Sequence, residues 1–185
     1  MKKKLAILLV IVLAFVGLAY WHYQSRQTTN PPTVGTLTYS NAGLTFTYSP
    51  TLYMKERVAN EAKLERSVVL VENSESNRAI LNSTAPVAGE GPPSITIDIY
   101  KNPQHLTPEE WMRQDTNWTK QSIVRDGIVI GGLPAVSFDW SGLYEGNSSI
   151  VSFGDHIYVF SYTWLSADDV VVKEVSDVLD SVKFK

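Results

Sequence analysis

The sequence contains no cysteine. That excludes a disulfide framework, a thiol nucleophile, a thiolate zinc site and a lipid-modified N-terminal cysteine. Positive charge is not in surplus either: 16 Lys+Arg stand against 19 Asp+Glu, a net charge of -3 at pH 7. Nucleic acid, which needs a basic footprint, is therefore not an expected partner. The G-x-S-x-G nucleophile elbow is missing, as are the H-x-x-x-H and H-E-x-x-H metal spacings. Gly131-Gly132 lacks the Lys and helix that a phosphate loop requires. There is no internal repeat and no long low-complexity tract. What is present is ordinary core material, with 44% hydrophobic residues and 185 residues in all. That suits one folded domain rather than a disordered chain.

The low average charge conceals a division. Lys2, Lys3 and Lys4 precede an uncharged apolar run of 17 residues, Leu5–Trp21. A helix of that length spans roughly 26 Å, close to a hydrocarbon core of about 30 Å. Tyr20, Trp21 and Tyr23 fall where an interfacial aromatic belt would lie, and the lysines predict the N-terminus inside. Two readings follow from these residues. Either segment 1–26 is an uncleaved signal anchor crossing the cytoplasmic membrane through residues 5–21, or it is a signal peptide cut after Ala19. Both export the rest of the chain. Beyond Arg26 there remain 12 basic and 19 acidic residues, a net charge of -7. Residues 27–35 (QTTNPPTVG) read as an extended tether to a domain at 36–185.

Within that domain, Leu44, Phe46 and Tyr48 alternate with polar residues after Asn41-Ala42-Gly43, which predicts a hairpin. Leu52–Leu64 fits a short helix or a strand with a loop. Ser67–Val71 reads as a buried strand, and Arg78–Leu81 as a short return strand. Ser94–Tyr100 alternates cleanly, with Ile95, Ile97 and Ile99 on one side. Thr107, Pro108 and Glu110 form a capping box at the start of a helix over Leu106–Trp118. Asp126-Gly127 signals a hairpin inside Ile123–Ile130. Leu133–Trp140, Asn147–Phe153 and His156–Trp164 are further strands, the last apolar on both sides and so central. Gly154-Asp155 suits a type II′ turn. Ser166–Val182 is a closing helix, capped by Ser166, with a Val171, Val175, Val178, Val182 stripe. Ser181–Lys185 adds an extended end. The sum is an α+β domain with a central, mostly antiparallel sheet covered by a few helices.

Taken in order, YSNAGLTFTYSP, SITIDIY, LTPEEWMRQDTNW, IVIGGLPAVSFDW, HIYVFSYTW and the terminal LDSVKF resemble the PsbP-like domain family, including its small bacterial exported members. The resemblance covers about residues 36–185 and rests on motif order more than on any single motif. It implies an α/β/α sandwich around an antiparallel sheet. It also implies an accessory or binding role. The plant members attend a photosynthetic membrane complex, and a eukaryotic relative binds a small GTPase. No catalytic motif defines the family, so no functional residue carries over, and nothing in this chain signals photosynthesis.

Chemistry-bearing residues are few. His105 and His156 read as turn or surface histidines, and Glu109-Glu110 and Asp168-Asp169 as first-turn helix acids. Asn82, Asn117 and Asn147 open glycosylation-type triplets. Asp139, between Phe138 and Trp140 on an alternating strand, is the more interesting carboxylate. A groove at Asp139, Trp140 and His156 is the expected place for a ligand, with the many aromatics otherwise serving as core. The leading expectation is a non-catalytic binding or assembly module with a protein partner in the cell envelope and no cofactor. The alternatives are an exported small-ligand or metal-binding protein and, last, a hydrolase.

Overall fold

The computed structural model describes residues 35–59, 63–83, 91–114 and 124–185. The anchor or signal segment, most of the tether, Trp118 and Asn117 lie outside the described residues. The elements are β1 (Leu37–Asn41), β2 (Leu44–Tyr48), β3 (Leu52–Val58), β4 (Leu64–Glu72), α1 (Glu75–Asn82), β5 (Ser94–Lys101), α2 (Pro108–Gln114), β6 (Val124–Ile130), β7 (Leu133–Ser141), β8 (Glu145–Phe153), β9 (His156–Trp164), α3 (Val170–Asp180) and β10 (Lys183–Phe184).

Seven strands form one sheet in the order β3-β4-β5-β9-β8-β7-β6, and β1-β2-β10 form a second, smaller sheet. Every pairing is antiparallel. The large sheet is two meanders, β3-β4-β5 and β6-β7-β8-β9, which meet where β5 pairs with β9. β9 is thus the middle strand, which accounts for its apolar groups on both sides.

Alternation of side chains sorts the core into two layers. On one face Val68, Leu70, Ile95, Ile97, Ile99, Tyr158 and Phe160 pack beneath Val171, Val175 and Val178 of α3 and beneath Tyr39, Leu44 and Phe46 of the small sheet. On the other face Val136, Phe138, Ile150, Ile157 and Val159 pack against Trp111 and Met112 of α2. α1 joins that second face, where Arg57 of β3 donates to Leu81 O at 3.0 Å. Helices therefore lie on both sides of the large sheet, and the small sheet shares the layer of α3. Val-rich α3 has low intrinsic propensity, so this packing is what holds it.

One open alternative is settled and three local expectations change. The Leu52–Leu64 stretch contains a strand, β3, whose Leu52 and Met54 face the core. Arg78–Leu81 is not a return strand but part of α1: Ser74 Oγ accepts the Asn77 amide at 3.2 Å and caps a helix that Glu75 opens. Asp126-Gly127 is not a hairpin turn but the irregular point of β6, where the register slips between Arg125 and Ile128. The turn comes at Gly131-Gly132, whose φ values of 58° and 83° are those of a type I′ loop. Finally, α3 begins at Val170 with Asp169, not Ser166, at its N-cap. The Asp169 carboxylate turns back to accept from Leu165 N at 2.8 Å and Ser166 N at 3.1 Å.

Candidate functional site

The structure does not bring Asp139, Trp140 and His156 into one groove. Asp139 and Trp140 are consecutive on β7 and project from opposite faces. Asp139 is opposite Asn147, which is opposite Tyr162, whereas His156 pairs with Phe153 at the other end of β9. Six residues of strand separate Tyr162 from His156, roughly 20 Å.

Each of the three has its own surroundings. Asp139 Oδ1 accepts from Asn147 Nδ2 at 2.8 Å, and Asn147 in turn meets buried Ser137, which accepts from Ser149 Oγ at 3.0 Å. This ladder of short polar groups satisfies itself across β7 and β8. It also removes Asn147 as a glycan acceptor in the folded chain, since the amide is buried and engaged. On the opposite face, Trp140 Nε1 donates to Ser148 Oγ at 3.0 Å, and Ser148 Oγ is 2.8 Å from Ser161 Oγ. His156 Nε2 is 3.2 Å from Glu65 Oε2 and belongs to another neighbourhood.

That neighbourhood is a polar cluster that the sequence does not announce. Glu56 faces inward with Leu52 and Met54, and its Oε1 accepts from Arg66 Nη1, from Tyr39 Oη at 3.0 Å and from Asn41 Nδ2 at 3.1 Å. Burial, reinforced by the bond to Glu56, pushes the Tyr39 phenol well above its ordinary range. The separate bond from Arg66 to Glu56 raises the guanidinium and holds its charge. Tyr158, raised by burial and then by Glu65, donates to Ala42 O at 3.1 Å. These bonds fasten the small sheet to β3, β4 and β9. Tyr39 and Arg66 are 27 positions apart, so only the pairing of the two sheets makes them neighbours. The inward parity of Glu56 on β3 was the one available signal.

A cavity of about 240 Å³ lies where β4 begins and β5 ends, against α2. Trp111 and Leu106 supply its apolar wall, and Lys63, Lys101, Gln104 and Gln114 its polar rim. Its edge is held by Asn102, which is 1% exposed. Asn102 N donates to Asp155 O at 2.6 Å, its Oδ1 accepts from Leu106 N at 3.0 Å, and its Nδ2 donates to Leu106 O at 3.0 Å. The capping box forms as the sequence predicts: Thr107 N donates to Glu110 Oε2 at 2.9 Å and Glu110 N to Thr107 Oγ1 at 3.3 Å. Trp111 packs on Tyr100 with ring centroids 5.0 Å apart.

Among the described residues no three His, Asp or Glu side chains converge as a metal site would require. No helix among them is long and apolar enough to cross a membrane.

Comparison with solved structures defines the fold class: the domain has a PsbP-like fold. The cyanobacterial PsbP protein (CyanoP) from Synechocystis matches with a TM-score of 0.51 and 13% identity, covering 86% of this chain and 99% of that one. A Bacteroides thetaiotaomicron protein matches with a TM-score of 0.48 and 11% identity, over 83% of this chain and 49% of that one. No family model matches the sequence, and no curated protein matches it either.

Proposed function

We propose that this chain is a non-catalytic binding and assembly module of PsbP-like type, tethered through residues 5–21 to the outer face of a cytoplasmic membrane and serving a protein partner in the cell envelope. The observation that carries the reading is the match of its fold to 99% of the CyanoP chain. The charge pattern of the N-terminus supports the tether: three lysines, then 17 uncharged residues.

The absence of cysteine makes the topology easy to test, because one introduced thiol is the only thiol. Leu143 is 69% exposed in the β7–β8 loop, so Leu143→Cys is expected to react with a membrane-impermeant maleimide in intact cells. Reaction only after lysis would overturn the orientation. The intact mass of the mature chain distinguishes an anchor, which keeps residues 1–26, from cleavage before Tyr20. A discrete crosslinked adduct to one envelope protein is expected in intact cells. Recovery of monomer alone across crosslinker lengths would count against assembly.

The alternative reading, an exported small-ligand protein, is favoured by one observation: the cavity beside Trp111.

A further inference from the structure

We infer that the cavity between the β4–β5 end and α2 is a binding site for a small organic anion, one with a carboxylate head and an aromatic or short aliphatic body. This goes beyond the assembly reading and does not depend on it.

The charge at the rim is the first ground. Lys101 N donates to Lys63 O at 3.0 Å, so the two lysines sit side by side where the ladder ends. Both line the cavity, and neither side chain has a hydrogen-bond or ion-pair partner among the described residues. The neighbouring cations differ. Arg66 is held by Glu56, Lys55 by Asn82 and Arg57 by Leu81 O. Among the described residues, none that lines the cavity is acidic. Of the described carboxylates nearby, Glu65 is engaged with His156, Asp155 with His105, and Glu110 with the Thr107 amide. Beyond Arg26 the chain carries a net charge of -7, and two adjacent ammonium groups unpaired among the described residues create a local preference for an anion.

The body of the ligand follows from the wall. Trp111 and Leu106 present apolar surface, and the volume of about 240 Å³ lies below the roughly 300–1,000 Å³ typical of drug-sized sites. The occupant is therefore small. The amides of Gln104 and Gln114 offer further donors at the rim. The site is also preformed. Asn102 clamps the loop from both sides, and His105 holds a left-handed φ of 51° within it. A rigid rim lowers the ordering cost of binding.

The test uses the full-length chain in lipid nanodiscs, labelled with 5-fluorotryptophan. The five tryptophan signals are separable by fluorine NMR, and Trp111→Phe assigns the relevant one. The probes are benzoate and hexanoate, with benzamide as the neutral match for benzoate. At least one of the two carboxylates is expected to shift the Trp111 signal saturably, with benzamide weaker than benzoate by about tenfold or more. The double variant Lys63→Gln/Lys101→Gln is expected to lose about tenfold in affinity with an unchanged circular dichroism spectrum. Lack of a saturable shift with either carboxylate would overturn the inference. So would equal binding of benzamide and benzoate, or undiminished binding by the folded double variant. Membrane topology and crosslinking are unaffected by any of these results, so the two proposals fail separately.

Discussion

The Trp140 indole lies against Gly146, its register partner across the β7–β8 ladder, and its Nε1–H reaches Ser148 on the same face. A β-carbon at position 146 would occupy the space of the six-membered ring. Gly146→Ala should therefore push Trp140 off its seat and break the bond to Ser148. The expected loss is roughly 1–3 kcal/mol of stability, as for other overpacked sites. Denaturant melts followed by tryptophan fluorescence measure it. In the Trp140→Leu background the same alanine should cost much less, because the clash is gone.

Gly131 carries a second steric demand. Its φ is 58°, and a β-carbon there would come 2.7 Å from the Phe184 ring. Gly131→Ala should destabilise by roughly 1–3 kcal/mol, through backbone strain and displacement of Phe184. Gly132→Ala has open space around it and should show the strain alone. Comparison of the two thermal melts isolates the packing part.

The Glu56 cluster predicts strong coupling between distant positions. Glu56→Gln leaves the Arg66 charge, with a side chain only 19% exposed, without its counter-ion. A loss of roughly 1–3 kcal/mol is expected. Tyr39→Phe removes one neutral donor to the same oxygen and should cost about 1 kcal/mol. The double variant should cost less than the sum, because both substitutions act on one group. Additive losses would show that the cluster does not act as a unit.

Stability should decline in alkali. The phenols of Tyr39, Tyr48 and Tyr158 are all raised above their ordinary value of 10.0, mainly by burial. Above that value the unfolded chain loses these protons while the folded chain keeps them. The folded state binds more protons in that window, so stability is full below about pH 10 and falls as pH rises through the raised values. Thermal melts between pH 8 and 11.5 check this. Tyr39→Phe should flatten the decline.

The Asn102 clamp should be costly to remove. Asn102→Ala deletes bonds to both backbone groups of Leu106 and to Ser152 Oγ, and although Leu106 O keeps the Ser152 hydroxyl at 3.1 Å, the half-buried Leu106 amide loses its acceptor. A loss of roughly 2–3 kcal/mol is expected, with faster amide exchange at Leu106 and Thr107. Unchanged exchange there would mean that the α2 capping box alone holds the loop.

Much of the fold was legible in one dimension because its causes are local. The alternation of Ile95, Ile97 and Ile99 defines β5, and the Thr107–Glu110 box starts α2 with both of its bonds in place. The two-sided apolar pattern of β9 placed it at the centre of the sheet, where it is. Local signals misled where tertiary pairing overrode them. Asp126-Gly127 carries a hairpin signature, yet β6 continues through it because β7 extends far enough to pair on both sides of the irregularity. Ile80 and Leu81 resembled a strand because the cap at Ser74 is weaker to read than two apolar residues.

By itself, the sequence determined the absence of cysteine, the basic and apolar N-terminus, the acidic remainder, and an α+β domain built on antiparallel strands. Composition and period-two alternation suffice for these, since each depends on residues close in the chain. Only the tertiary structure decided which polar groups meet. Strand parity sends Asp139 and Trp140 to opposite faces, and register puts His156 a sheet's length away, beside Glu65. The Tyr39–Glu56–Arg66 cluster joins residues from separate strands, and the Lys63–Lys101 rim joins the residue before β4 to the end of β5. No spacing along the chain encodes those meetings, because they are set by which strands pair and in what register.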